Sequence, residues 1–141
     1  MKKAIFLGCI GLLFALISVV SYAAMTKTPI SPSDLPALKG KWVGTRIAGT
    51  TPGGITELDI ENDTPPLQGK LTVHNVIVRG SRGRTVTLEF KNGQIDKQGN
   101  LVIKKEKNEF EFSLYEGEGK MKLEGDYYFM GVRGKITLQK K

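Results

Sequence analysis

Beyond residue 38 the chain alternates apolar and polar positions with a period close to two. In 84–91, Val86, Leu88 and Phe90 share one face, and Thr85, Thr87, Glu89 and Lys91 the other. Phe110, Phe112 and Leu114 oppose Glu109, Glu111 and Ser113 in the same way. Met121, Leu123, Gly125, Tyr127 and Phe129 oppose Lys122, Glu124, Asp126 and Tyr128, and Val132, Ile136 and Leu138 oppose Arg133, Lys135 and Thr137. Successive side chains of a strand point to opposite faces, so each run predicts a strand with one buried and one wet side. Eight such strands are expected, over 41–48, 55–61, 70–78, 84–91, 101–105, 109–115, 120–129 and 132–139.

Hairpin-length connections separate them, among them Thr51-Pro52-Gly53-Gly54, Asp63-Thr64-Pro65-Pro66 and Met130-Gly131, rich in residues that tolerate positive φ. A parallel sheet would need continuous apolar runs and helical crossovers, and neither is present. The expectation is an all-β fold, an antiparallel up-and-down meander closing into an eight-stranded barrel; an open sandwich is the competitor. A membrane barrel is disfavoured: its strands are longer and its rims aromatic, whereas this chain has one Trp and four Tyr and ends Gln139-Lys140-Lys141.

The opening of the chain differs in kind. Lys2 and Lys3 precede an almost wholly apolar run over 4–20, and Ser21-Tyr22-Ala23 places small residues where a signal peptidase reads. Residues 1–23 are therefore expected to be a cleaved signal peptide and the protein extracytoplasmic, periplasmic or secreted, with cleavage after Ala24 as the second choice and a retained anchor as the alternative. Residues 24–38 carry three prolines and read as an arm rather than a core element, leaving 39–141 as the barrel domain. Cys9, the only cysteine, falls in the leader, where a lipoprotein reading would leave too short an apolar run ahead of it. The mature chain thus has neither a disulfide nor a thiolate metal site. The net charge is +7 for the whole chain, and it favours anionic partners, a cell-envelope component among them.

At Leu35-Pro36-Ala37-Leu38-Lys39-Gly40-Lys41-Trp42 the chain resembles the calycin group of barrels, the lipocalin, fatty-acid-binding and avidin-like proteins, through Gly40 and Trp42 of a Gly-x-Trp opening. The resemblance implies an indole plugging the closed end of the barrel, with a basic side chain of the last strand over it, for which Lys140 is the candidate. It does not imply biotin binding, since avidin-like pockets use several tryptophans. The opening also resembles bacterial secreted metalloprotease inhibitors, small barrels preceded by an extended arm, although those carry a disulfide.

No catalytic apparatus is evident. His74 is the only histidine and has no nucleophile beside it in sequence, so it reads as structural. One histidine without cysteine makes no zinc site, and 59–63 is too short and strand-like for calcium, so no metal or cofactor is expected. Glu109 and Glu111, and the stripe Glu57, Asp59 and Glu61, lie on wet faces. Arg79-Gly80-Ser81-Arg82-Gly83-Arg84 is the most distinctive polar run, and Arg79, Arg82 and Arg84 are its candidate anion-binding residues. No aromatics are interleaved there, which argues against nucleic acid. If Trp42 points inward, alternation sends Arg46 inward too, towards a ligand carboxylate or an internal acid, unless a bulge at Gly44 reverses the register.

Function is accordingly expected to be that of a non-enzymatic binding module of calycin-like type, holding a small apolar or amphiphilic ligand in the barrel, with Trp42, Arg46, Phe90, Phe112 and Tyr127 as candidate ligand-binding residues. The alternative is an interaction or inhibitor protein, acting through the arm or through the arginine run on an anionic envelope polymer.

Overall fold

The computed structural model describes residues 24–77 and 83–141; the expected signal peptide and Arg79 and Arg82 lie outside the described residues. Strand β1 (Thr26–Thr28) leads through a 3-10 turn (Pro32–Asp34) and helix α1 (Leu35–Leu38) into β2 (Gly40–Ala48), β3 (Thr51–Ile60), β4 (Leu67–Val76) and β5 (Arg84–Ile95). Then follow β6 (Leu101–Lys105), β7 (Asn108–Gly117), β8 (Lys120–Phe129) and β9 (Val132–Lys140). Each strand from β2 to β9 pairs antiparallel with the next, and β9 returns to pair with β2, so the eight strands close into a barrel. The open sandwich is thereby excluded.

Closure demands that a twisted sheet coil tightly, which is eased where strands lack side chains at the bends. A Cβ at Gly44 would stand 1.7 Å from the Thr137 carbonyl oxygen of β9, and one at Gly125 would stand 1.7 Å from that of Glu111 on β7. Both glycines let neighbouring backbones approach more closely than any other residue would.

The alternation is obeyed. Leu58, Leu71, Phe112, Leu114, Leu123 and Leu138 are fully buried, with Phe90, Ile103, Phe110, Phe129 and Ile136 nearly so. Side chains without any accessible surface leave no water-sized void beside them, so the middle of the barrel is a packed core. The wall outside is ionic, with Lys135 paired to Asp126 at 2.9 Å and Lys122 to Glu124 at 3.0 Å. No helix among the described residues is long and apolar enough to cross a membrane.

Three expectations need correction. The segment 51–54 was expected to be a turn, but it belongs to β3: Ala48 pairs with Thr51, and the reversal takes only Gly49, at φ 63°, and Thr50. Strands β4 and β5 are likewise extended, to Leu67 and Ile95. The arm is docked. β1 pairs with β7 at Thr26–Glu116, Lys27–Tyr115 and Thr28–Leu114, beyond the end of β6 on the same edge of β7. The Ile30 amide donates to the Gly99 carbonyl at 2.9 Å, and Ile30, Leu35 and Leu38 are buried. Prolines at 29, 32 and 36 do not prevent this, because an edge strand of three residues and the first turn of a helix both tolerate proline.

The ring is thinnest between β5 and β6, joined only at Gln94–Val102 and Ile95–Leu101. Further along, Asn92 Nδ2 donates to the Lys104 carbonyl at 2.8 Å and Lys105 Nζ to that of Glu89, so side chains bridge the strands where they part. Val86 and Leu88, which face the interior beyond the end of β6, are consequently only partly buried.

Candidate functional site

The two barrel ends are finished differently. At the closed end the Trp42 indole Nε1 donates to the Leu38 carbonyl at 2.9 Å, and the residue is 1% exposed. Lys140, opposite Trp42 in the β2–β9 register, lies with its Nζ 5.3 Å from the ring centroid and donates to the carbonyls of Ala37 and Lys39. Burial lowers the Lys140 pKa, but two carbonyls and a π face hold the ammonium there. Trp42 is thus a plug, and Phe90 and Phe112 are core side chains, 3% and 0% exposed.

The open end holds a cup of about 430 Å³, lined by Arg46, Ala48, Pro52, Val76, Ile77, Tyr127, Phe129, Met130 and Val132 among others. Of the five residues the sequence singled out for a ligand, Arg46 and Tyr127 meet here, while Trp42, Phe90 and Phe112 lie elsewhere. The cup was not foreseen. Its floor is aromatic and its rim aliphatic, from turn residues whose exposure alternation alone does not predict.

Arg46 is inside because the register of β2 holds past Gly44. The bulge falls beyond Arg46, where Arg46 pairs with Gly54 but Ile47 with Pro52, leaving Gly53 as the extra residue. A Cβ on Gly53 would be 2.8 Å from the Arg46 Cγ, so the missing side chain makes room for the arginine stem. A second irregularity in β4, between Val73 and Val76, with Asn75 at φ 56°, turns two carbonyls inward. The Arg46 guanidinium donates through Nη1 to the Ile55 carbonyl at 3.1 Å, and through Nη2 to those of His74 at 2.5 Å and Asn75 at 3.2 Å.

No carboxylate among the described residues pairs with Arg46, although it is only 7% exposed. Removal from water lowers its pKa, an effect countered by the neighbouring Tyr127 phenol; an arginine so placed remains a cation. Burial in turn raises the Tyr127 phenol above its ordinary value, against the pull of Arg46. Among the described residues the site is a buried positive charge, solvated by carbonyl dipoles, at the base of a mostly apolar cup.

His74 is on the outer wall. Its Nε2 lies 2.8 Å from Glu57 Oε2 and its Nδ1 3.1 Å from Thr85 Oγ1, a bridge tying β3, β4 and β5 together. An acid, an imidazole and a hydroxyl do meet here, a juxtaposition invisible along the chain. Glu57 is exposed and His74 half-buried on this wall, and Glu57 also lines a groove of about 170 Å³ with Lys70 and Thr72. Glu109 pairs with Lys104 at 3.8 Å, and Glu111 accepts from Asn100 at 3.1 Å, both on the outer wall. No group of three or more His, Cys, Asp or Glu among the described residues is arranged to hold a metal. Arg84 begins β5 and is exposed.

No protein-family model, curated protein or solved structure matches this chain. The closed eight-stranded antiparallel barrel is compatible with a calycin-like fold.

Proposed function

We propose that this protein is an exported, calycin-like, non-enzymatic binding module that takes a small amphiphile at the mouth of its barrel. The observation that carries the reading is the cup of about 430 Å³ with Arg46 buried at its base and unpaired with any described carboxylate. Cups of that size, apolar with a few convergent polar groups, suit small ligands. The ligand's hydrocarbon would lie against Phe129, Met130, Val132 and Ile77, and its acidic head against Arg46 and the Tyr127 hydroxyl. The sequence placed such a ligand in the lumen; the packed core moves the proposed site to the mouth. The arm-based inhibitor reading loses support because Thr26–Thr28 and Ile30 are committed to the barrel.

Titration calorimetry with laurate, below its micellar concentration, and with lauryl alcohol tests this. Laurate should bind at least about tenfold more tightly than the alcohol, as expected of a charge-assisted hydrogen bond. Arg46→Gln should erase the difference, and Val132→Trp, which fills the cup from its rim, should abolish both. Equal binding of acid and alcohol by the native chain, or none of either, refutes the reading.

A further inference from the structure

Four of the five exposed large hydrophobic side chains among the described residues are at the open end, Ile47 at 45% exposure, Ile77 at 75%, Met130 at 44% and Val132 at 45%, and the fifth, Ile55 at 51%, is on the outer wall opposite Thr45. The four come from the end of β2, the residue after β4, the turn between β8 and β9 and the start of β9, which antiparallel pairing brings to one end of the barrel. Met130, at φ 49° in the tight turn Met130-Gly131, is held at the tip of its hairpin. Apolar side chains scattered singly over a surface need no explanation, but a ring of them confined to one end marks an interaction surface.

Charge is distributed as unevenly. Arg84, Lys104, Lys105, Lys107, Arg133 and Lys135 lie towards the open end, against Glu106, Glu109 and Asp126. The turns of the closed end carry Asp34, Glu61, Asp63, Asp96, Glu116 and Glu118 among their lysines. On the wall just behind the rim, Arg133 lies over the Tyr128 ring, 4.8 Å from its centroid.

We infer that the open end docks the barrel end-on to an anionic lipid surface, the aliphatic ring entering between head groups and the cations behind it meeting lipid phosphates. A rim of protruding aliphatic side chains backed by basic ones is the arrangement that peripheral lipid binding uses, with apolar burial and charge attraction adding. Penetration is limited to the outermost residues Ile77, Met130 and Val132, because the outer wall already bears the Lys135–Asp126 pair opposite Ile47 and, further down, the Lys122–Glu124 pair. A second copy of the chain is a poorer partner, since a two-fold contact through this end would set cations against cations. The inference rests on the rim and its charge and not on what the cup holds.

Co-sedimentation with vesicles of phosphatidylglycerol mixed into phosphatidylcholine, and with phosphatidylcholine alone, tests it. The full chain after removal of residues 1–23 should bind the anionic vesicles, and added salt should weaken that binding. The double variant Ile77→Asp, Met130→Asp should lower the bound fraction at least about tenfold. Arg133→Glu and Lys107→Glu should each weaken binding about fivefold or more, whereas Lys97→Glu with Lys120→Glu at the closed end should leave it unchanged. Circular dichroism of each variant establishes that it is folded. Val132→Trp, which closes the cup to laurate, should still sediment with vesicles, so loss of the cup reading and loss of this one are told apart. Equal binding to both vesicle types, full binding by the folded Ile77→Asp, Met130→Asp variant, or a rim-dependent dimer that ignores vesicles would overturn the proposal.

Discussion

Trp42 and Arg46 point into the same barrel from the same strand, four residues apart, yet they finish opposite ends in opposite ways. Trp42 is covered by Leu38 and Lys140, its one polar atom satisfied by one carbonyl. Arg46 is satisfied by three carbonyls, with the Tyr127 phenol beside it, and above it the barrel is left open. Polar satisfaction was therefore achieved at both ends, but apolar coverage at only one. A segment outside the barrel strands makes the difference: the chain before β2 folds back over the indole, and nothing comparable among the described residues covers the cup.

That contrast can be broken from the closed end first. Trp42→Ala should cost about 3–5 kcal/mol in a urea or guanidinium titration, because the indole is the largest buried side chain and α1 rests on it. Substitutions at the exposed rim should cost little by the same measurement; a rim change as costly as the plug would dissolve the distinction between the ends.

Ile30→Ala comes next, with an expected loss of about 2 kcal/mol, since Ile30 is 5% exposed and anchors the segment joining β1 to α1. A neutral result would return residues 24–38 to the status of a free arm.

The smallest effect belongs to the open end and is a pH dependence. Burial raises the Tyr127 phenol above its unfolded value of about 10. A group whose folded pKa lies higher contributes stability that is complete below the unfolded pKa and lost as pH rises through the folded one. Urea midpoints of the native chain should therefore fall more steeply above pH 10 than those of Tyr127→Phe. Parallel curves would mean that the phenol is no less hydrated in the folded protein than in the unfolded one.

Much of the fold was legible because a period of two is a local signal. Phe110, Phe112 and Leu114 are buried wherever their strand is placed, provided one face meets a core. Counting two by two from Trp42 left the Arg46 orientation open between inside and outside, and only the placement of the bulge beyond Arg46 decided it, whereas the position of Lys140 followed from the register of first and last strands. Val86 and Leu88 departed from full burial because β6 is too short to cover them, a fact about a neighbour and not about their own segment. Ile30 was missed because three prolines describe what a segment cannot be internally, not what edge it can lie against.

Alternation and turn chemistry in the chain itself determined the strands, their inward faces and their antiparallel order, since each depends on residues within a hairpin of one another. Only the tertiary structure decided that the ring closes on a solid core, that His74 meets Glu57 and Thr85, and that a cup opens over Arg46. Those outcomes depend on which side chains from distant strands compete for the same space, and packing of that kind is settled by the whole ring at once.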